Sequence, residues 1–208
     1  MLGGELYLAS DPELVAAHER ARLLVEDFNA TSVAERERRI VLLRELLGRL
    51  GEDTEIKPPF QCDYGFPISL GARSFVNYGA IVLDCAPLTI GDEVQIGTGV
   101  QLLTATHPLE ADTRRQGWES AAPISIADGA WLGSGAIVCP GVTIGENTVV
   151  GAGAVVTRDL PPGVLAVGNP CRVVRELLIG SAKSPARFAL PARVGYPPSL
   201  SDSTTTSL

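Results

Sequence analysis

His107 stands in the run Thr104-Ala105-Thr106-His107-Pro108 and is one of only 2 histidines in the chain. Its neighbours Thr106 and Pro108 restrict its backbone. An imidazole in such a place can take a proton from a hydroxyl group at neutral pH, which is worth roughly a hundred- to ten-thousandfold in rate. A loop histidine bonded to a carbonyl is the alternative, and position alone leaves both open. The other histidine, His18, lies between apolar residues on a predicted helix and reads as a solvated or capping side chain. Three arginines, Arg158, Arg172 and Arg175, gather towards the C-terminal side, the last two flanking Val173-Val174 at i, i+3 spacing. Guanidinium forks match phosphate oxygens, so this group is a candidate phosphate grip; surface ion pairs are the other use of such residues.

The rest of the composition narrows the chemistry. Cys62, Cys85, Cys139 and Cys171 are scattered, with no Cys-x-x-Cys pair and no clustered histidines, so no metal site and no disulfide framework is indicated and core thiols are expected. A formal net charge of −7 without a long basic stretch argues against nucleic acid or an anionic membrane as partner. No apolar run has the length of a membrane span, and the start Met1-Leu2-Gly3-Gly4-Glu5 lacks the features of a secretion signal, so a cytoplasmic location is expected.

What must position these side chains is legible in the spacing. Ile126, Leu132, Val138, Ile144, Val150 and Val156 recur at every sixth position, a period that neither an α-helix nor a flat sheet produces. Two positions before each stand Ile124, Ala130, Ala136, Val142, Thr148 and Ala154, all small or β-branched. An earlier set, Leu70, Val76, Val82 and Leu88, keeps the period, slips by two around Pro87 and resumes at Ile90, Ile96 and Leu102. Three hexapeptides make one coil of a prism-shaped parallel β-helix, whose coils stack at ~4.8 Å with each inward aliphatic residue over its counterpart one coil earlier. The fold class is therefore mainly β, a parallel β-helix of hexapeptide repeats.

Ahead of the repeats, Leu14, Ala17, Ala21, Leu24 and Phe28 share one helical face, and Val33, Ile40, Leu43, Leu47 and Leu50 another. Asp11-Pro12 can cap the first helix, and Ser32 with Glu35 has capping-box spacing for the second. This N-terminal helical hairpin, assigned to residues 1–56, would cover the open first coil. The β-helix is assigned to 57–179, with a loop inserted at about 104–123 and a short C-terminal helix from Glu176 to Ile179. Residues 180–208, rich in Ser, Pro and Thr, are expected to form a flexible tail.

The segments Gly4-Glu5-Leu6-Tyr7, Cys62-Asp63-Tyr64-Gly65, Leu83-Asp84, Thr104 to Pro108, Pro140 to Gly145 and Gly168 to Val173 closely resemble the maltose O-acetyltransferases and their relatives, the galactoside and nodulation acetyltransferases. The resemblance runs from about Gly4 to Leu177. It implies a left-handed β-helix, a homotrimer with active sites between neighbouring subunits, acetyl-CoA as donor and a sugar-like acceptor. In it His107 matches the catalytic base and Asn77 an asparagine lining the reaction centre, while Asp11, Asp63 and Asp84 stand at or next to acceptor contacts. Trp131, Ser134, Ala152, Thr157, Arg158, Arg172 and Arg175 match contacts to pantetheine and phosphates, and the backbone N–H of Ser134 is the inferred oxyanion donor. The galactoside enzymes carry a carboxylate where this chain has Cys85.

Several of these residues have structural alternatives: Asp11 as a helix cap, Asn77 as a left-handed corner, Asp84 as a turn anchor. Glu119 is a candidate to orient His107 across the loop, although loop acids are usually solvated. Two further functional classes stand beside the sugar O-acetyltransferase: an acetyltransferase of the same fold with a serine, amino-sugar or antibiotic acceptor, and a non-catalytic β-helix scaffold.

Overall fold

The structure, a computed structural model, describes residues 1–177. Its centre is a three-faced prism of stacked parallel strands. Along the chain the first face is built from Arg49–Leu50, Ile68–Leu70, Leu88–Ile90, Ile124–Ile126 and Thr143–Ile144. The second begins Glu55–Ile56, Phe75–Val76, Gln95–Ile96, Trp131–Leu132 and Val149–Val150. The third is Phe60–Cys62, Ala80–Leu83, Gln101–Leu103, Ile137–Val138 and Val155–Val156.

Late in the chain the stacking step is the one the spacing predicts: Ile126 lies beside Ile144, Leu132 beside Val150 and Val138 beside Val156. Leu132, Val138, Ile144 and Val150 are wholly buried, and each such side chain contributes ~1.5–3 kcal/mol of transfer free energy. Earlier coils are longer. Val76 pairs with Ile96 and Val82 with Leu102, because the corners between Cys62 and Ile68 and between Val82 and Leu88 hold two more residues than the corner between Val138 and Val142. The slip at Pro87 is one of these wide corners, and the wide corners carry the candidate site.

The helical cap is shorter than expected. Helix α1 (Pro12–Asn29) starts as predicted, with the Asp11 carboxylate accepting the Glu13 N–H at 2.9 Å. Helix α2 is confined to Arg36–Leu46. Only half of the Ser32/Glu35 box forms: Glu35 accepts the Ser32 N–H at 2.8 Å, no side chain caps the helix, and Val33 is exposed. Gly48 lets the chain leave α2 closely past the Phe66 carbonyl, where any Cβ would collide. Leu50 and Ile56 then stack under Leu70 and Val76, so the first coil takes in residues ahead of the expected boundary at 56. The cap covers the open end with Ala21, Val25 and Phe28 of α1 and Leu43 and Leu46 of α2, in one core with Ile56, Phe60 and Leu70. Asn29 imitates a further strand, its side-chain amide donating to the Phe60 carbonyl at 2.9 Å and accepting the Phe60 N–H at 2.8 Å.

At the other end, Val164–Val167 continues the second face and Arg172–Glu176 folds back on it as an antiparallel strand. Glu176, where the short C-terminal helix was placed to begin, is the last residue of that strand. The β-branched Val173-Val174 and the tight Gly168-Asn169-Pro170 return favour this hairpin. Leu178, Ile179 and the expected tail lie outside the described residues.

The insertion after Thr104 is ordered by a small sheet of its own. Ala105–Thr106 pairs antiparallel with Trp118–Ala121, which pairs in turn with Tyr7–Leu8 from the N-terminus, and the short helix α3 (Ala111–Arg115) lies between the first two.

Candidate active site

The wide corner after the third face is shaped by a buried carboxylate. Asp84 is fully buried and accepts three backbone N–H groups, from Asp63 at 2.7 Å, Tyr64 at 3.1 Å and Gly65 at 2.6 Å. Burial pushes its carboxyl up from the ordinary range, and the three donors counter this. Asp84 is thus a turn anchor holding the corner of the preceding coil, not a side chain presented to a ligand.

What it holds in place is Asp63. Burial raises the Asp63 carboxyl, with the charge of Asp84 adding to the shift and His18 opposing it. Cys85 Sγ lies 3.7 Å from Asp63 Oδ2 and His18 Nδ1 lies 4.0 Å from Oδ1. The Cys85 thiol is pushed up to about 12, chiefly by burial, and is therefore a neutral group at physiological pH. His18 also meets the Tyr64 ring edge-on, with centroids 5.8 Å apart.

His107 follows directly on the strand Ala105–Thr106 and is exposed. It shares a cleft of about 460 Å³ with His18, Asp63, Tyr64, Cys85 and Glu119. The structure therefore brings together His107, Asp63 and Glu119, three of the side chains singled out in the sequence. Glu119 is held by Tyr7, whose hydroxyl donates to Oε2 at 3.0 Å; no hydrogen bond joins it to His107. Asp11 does not line this cleft and serves as the cap of α1.

His18, which lines the cleft, and Tyr7, which holds one of its side chains, were not assigned to the site from the sequence. His18 sits four positions after Leu14 and three before Ala21, on the inward stripe of α1, which is a signal that could have placed it. Tyr7 gave none, since its role depends on a strand pairing with a segment more than a hundred residues away.

Three further candidates fall on another edge of the prism. Asn77, Ser134 and Ala152 lie at the corner leaving the second face, Ser134 and Ala152 in successive coils and Asn77 two coils before Ser134; there Asn77 N–H donates to the Ile96 carbonyl and Gly133 N–H to that of Val150. Asn77 is not in the left-handed region; Gly79, at φ 74°, makes that turn, and the Asn77 side chain accepts the Tyr78 N–H at 2.8 Å. The Ser134 N–H has no backbone acceptor among the described residues. Opposite it stands Gly97, where a Cβ would come within 2.6 Å of that nitrogen. Trp131, 54% exposed, precedes this corner on the second face.

Thr157 and Arg158 follow the strand Val155–Val156, on the same edge as Asp84 and Thr104. Arg172 pairs with Val167 and Arg175 with Leu165, at the end of the second face. None of the three arginines forms an ion pair among the described residues, which leaves their guanidinium groups to other partners. Arg172 does donate to the Cys171 carbonyl at 2.7 Å. No group of three or more His, Cys, Asp or Glu among the described residues has a metal-holding arrangement, and no helix among them is long and apolar enough to cross a membrane.

A parallel β-helix with a helical cap and a histidine-bearing inserted loop defines the hexapeptide-repeat acyltransferase class. Residues 1–51 match the maltose acetyltransferase hexapeptide capping motif, and residues 123–158 match the bacterial transferase hexapeptide (six repeats). The galactoside O-acetyltransferase of Escherichia coli (strain K12) is 37% identical over 174 residues, covering 84% of this chain and 86% of the relative. A maltose O-acetyltransferase from Clostridium difficile 630 has the same fold with a TM-score of 0.84 at 44% identity, over 85% of this chain and 94% of the other. A hexapeptide-repeat containing acetyltransferase from Vibrio cholerae O1 biovar eltor, complexed with acetyl coenzyme A, gives a TM-score of 0.81 at 38% identity, over 85% and 96%. The chain belongs to the maltose and galactoside O-acetyltransferase family, whose fold is the left-handed β-helix.

Proposed function

We propose that this protein is an acetyl-CoA-dependent O-acetyltransferase acting on a hydroxyl of a sugar or glycoside, with His107 as general base. The observation that carries the reading is the cleft in which the exposed His107 imidazole faces the carboxyl side chains of Glu19, Asp63 and Glu119 and a neutral thiol. Carboxylates and a histidine around an open cleft suit an acceptor with several hydroxyl groups.

In the step proposed, the acceptor hydroxyl gives its proton to His107 while its oxygen attacks the thioester carbonyl. The C–S bond breaks, the acetyl group stays on the acceptor oxygen, and the proton passes to the departing thiolate. No acyl-enzyme forms. Asn77 lines the reaction centre, and the Ser134 N–H, which has no backbone acceptor among the described residues, is suited to the developing oxyanion, a contact typically worth ~3 kcal/mol in the transition state. Trp131, Ala152, Thr157, Arg158, Arg172 and Arg175 take the pantetheine and phosphates of the donor.

The same reading asks for a second copy of the chain. His107, Asp63 and Glu119 lie at one edge of the prism and Asn77, Ser134 and Ala152 at another, so one protomer does not bring the two halves of the site together. Apolar Tyr78, Ile81 and Trp131 are 52%, 39% and 54% exposed near the face between those edges, which supports packing of copies there as a homotrimer.

Incubation with acetyl-CoA and a panel of maltose, glucose, galactosides, serine, amino sugars and antibiotics, read by free thiol, tests the proposal. Transfer to a sugar hydroxyl is expected. Transfer only to serine, an amino sugar or an antibiotic would move the acceptor assignment, and no thiol release with any acceptor would point to the scaffold reading.

A further inference from the structure

Tyr7 is buried in a small cluster with Tyr64, Cys85, Ala86 and Ala121, separate from the core of the solenoid. Its backbone belongs to the strand that pairs with Trp118–Ala121, in a register that sets Tyr7 opposite Glu119 and Leu8 opposite Trp118. Its hydroxyl donates to Glu119 Oε2 at 3.0 Å, so backbone and side chain fix the same residue. Glu119 is on the return strand of the loop that carries His107, because Ala105 and Thr106 pair with Ala121 and Ser120. The N-terminal strand is therefore the third strand of the sheet that orders the loop. Oε1 of Glu119 has no protein donor among the described residues, and the side chain lines the cleft, so one oxygen is anchored and the other is left for a ligand. Burial pushes the Tyr7 phenol far above its usual range, which keeps it a donor throughout the working range of pH.

We propose that Tyr7 is a positioning residue for acceptor binding: by anchoring Glu119 through the strand pairing and the phenolic hydrogen bond, it sets both the Glu119 carboxylate and the His107 loop against the wall of α1. This rests on the acetyltransferase reading. It adds to that reading a role for the N-terminal strand that the helical cap alone does not have, since covering the first coil requires neither the hydroxyl nor the pairing with the loop.

The test uses the full chain with Tyr7→Phe, Glu119→Gln and the double variant. Hydrogen exchange at residues 118–121 reads the clamp without any substrate, and Tyr7→Phe is expected to speed it about fivefold or more. With a sugar accepted by the wild type, Tyr7→Phe should raise the acceptor KM about tenfold, the scale of a lost hydrogen bond to a charged group, with the acetyl-CoA KM within about twofold. The double variant should be no worse than Glu119→Gln alone, because both changes remove one interaction. Unchanged exchange, equal rises in both KM values, or additive effects of the two substitutions would each overturn the proposal. Wild-type protein that transfers acetyl to nothing would be a failure of the functional reading, visible without any variant, and the exchange measurement would still decide the clamp.

Discussion

The Asp84 carboxylate accepts the backbone N–H of Asp63 at 2.7 Å, so the acid that faces the cleft is held by an acid buried one coil later. This arrangement places two carboxyl groups in one corner, each shifted upward mainly by burial. The stability of the fold and the chemistry of the cleft are coupled there.

Asp63 should therefore be a stability cost that rises with pH. Its folded-state carboxyl keeps its proton to higher pH than in the unfolded chain, so the folded state binds more protons in a window opening near ~3.9, and stability falls as pH rises through it. Above the folded value the cost is constant. Asp63→Asn should consequently melt higher than wild type at pH 7, with a gain that shrinks towards pH 4, and should bind the acceptor less well. Melting temperatures across that range check it; a gain independent of pH would remove Asp63 titration as the cause.

Replacing His107 with Ala should lower turnover by roughly two to four orders of magnitude, the range for loss of a general base, with acetyl-CoA affinity nearly intact. Steady-state kinetics with donor binding by calorimetry separates the two. A variant keeping more than about a tenth of the wild-type rate on every accepted sugar would not be reconciled with His107 as the base.

Arg172→Ala and Arg175→Ala should each raise the acetyl-CoA KM roughly tenfold, because a charge-assisted hydrogen bond contributes ~1.5–3 kcal/mol and an exposed ion pair under ~1. Acetyl-pantetheine, which lacks the nucleotide phosphate, should be affected less. Equal losses on both donors, or a lower melting temperature with donor affinity unchanged, would make these arginines structural.

Activity should persist in EDTA, since the proposed proton transfer and thioester attack use only side chains and backbone groups of the chain. Assays before and after dialysis against the chelator check this. Loss of activity restored by zinc or magnesium would mean that a metal takes part.

The solenoid was legible because its cause is local and periodic. An inward aliphatic residue at every sixth position, from Ile126 to Val156, can be buried by only one kind of coil, and Asp11-Pro12 announces the start of α1 through bonds within its own turn. His107 was legible for a related reason, standing where the period breaks. The first coil was not, since Leu50 continues the helical stripe of Leu43 and Leu47 as readily as it starts a strand, and only the stacking of Leu50 and Ile56 on Leu70 and Val76 decides between the two. The division of labour between Asp63 and Asp84 likewise depends on the tertiary structure: both are acids beside a turn, and the wide corner buries one against three N–H groups while turning the other towards the cleft. Tyr7 joins the site through a pairing between segments far apart in the chain, so its neighbours in sequence carry no trace of what it touches, whereas the place of His18 on the inward stripe of α1 shows its partial burial but not its partner Asp63.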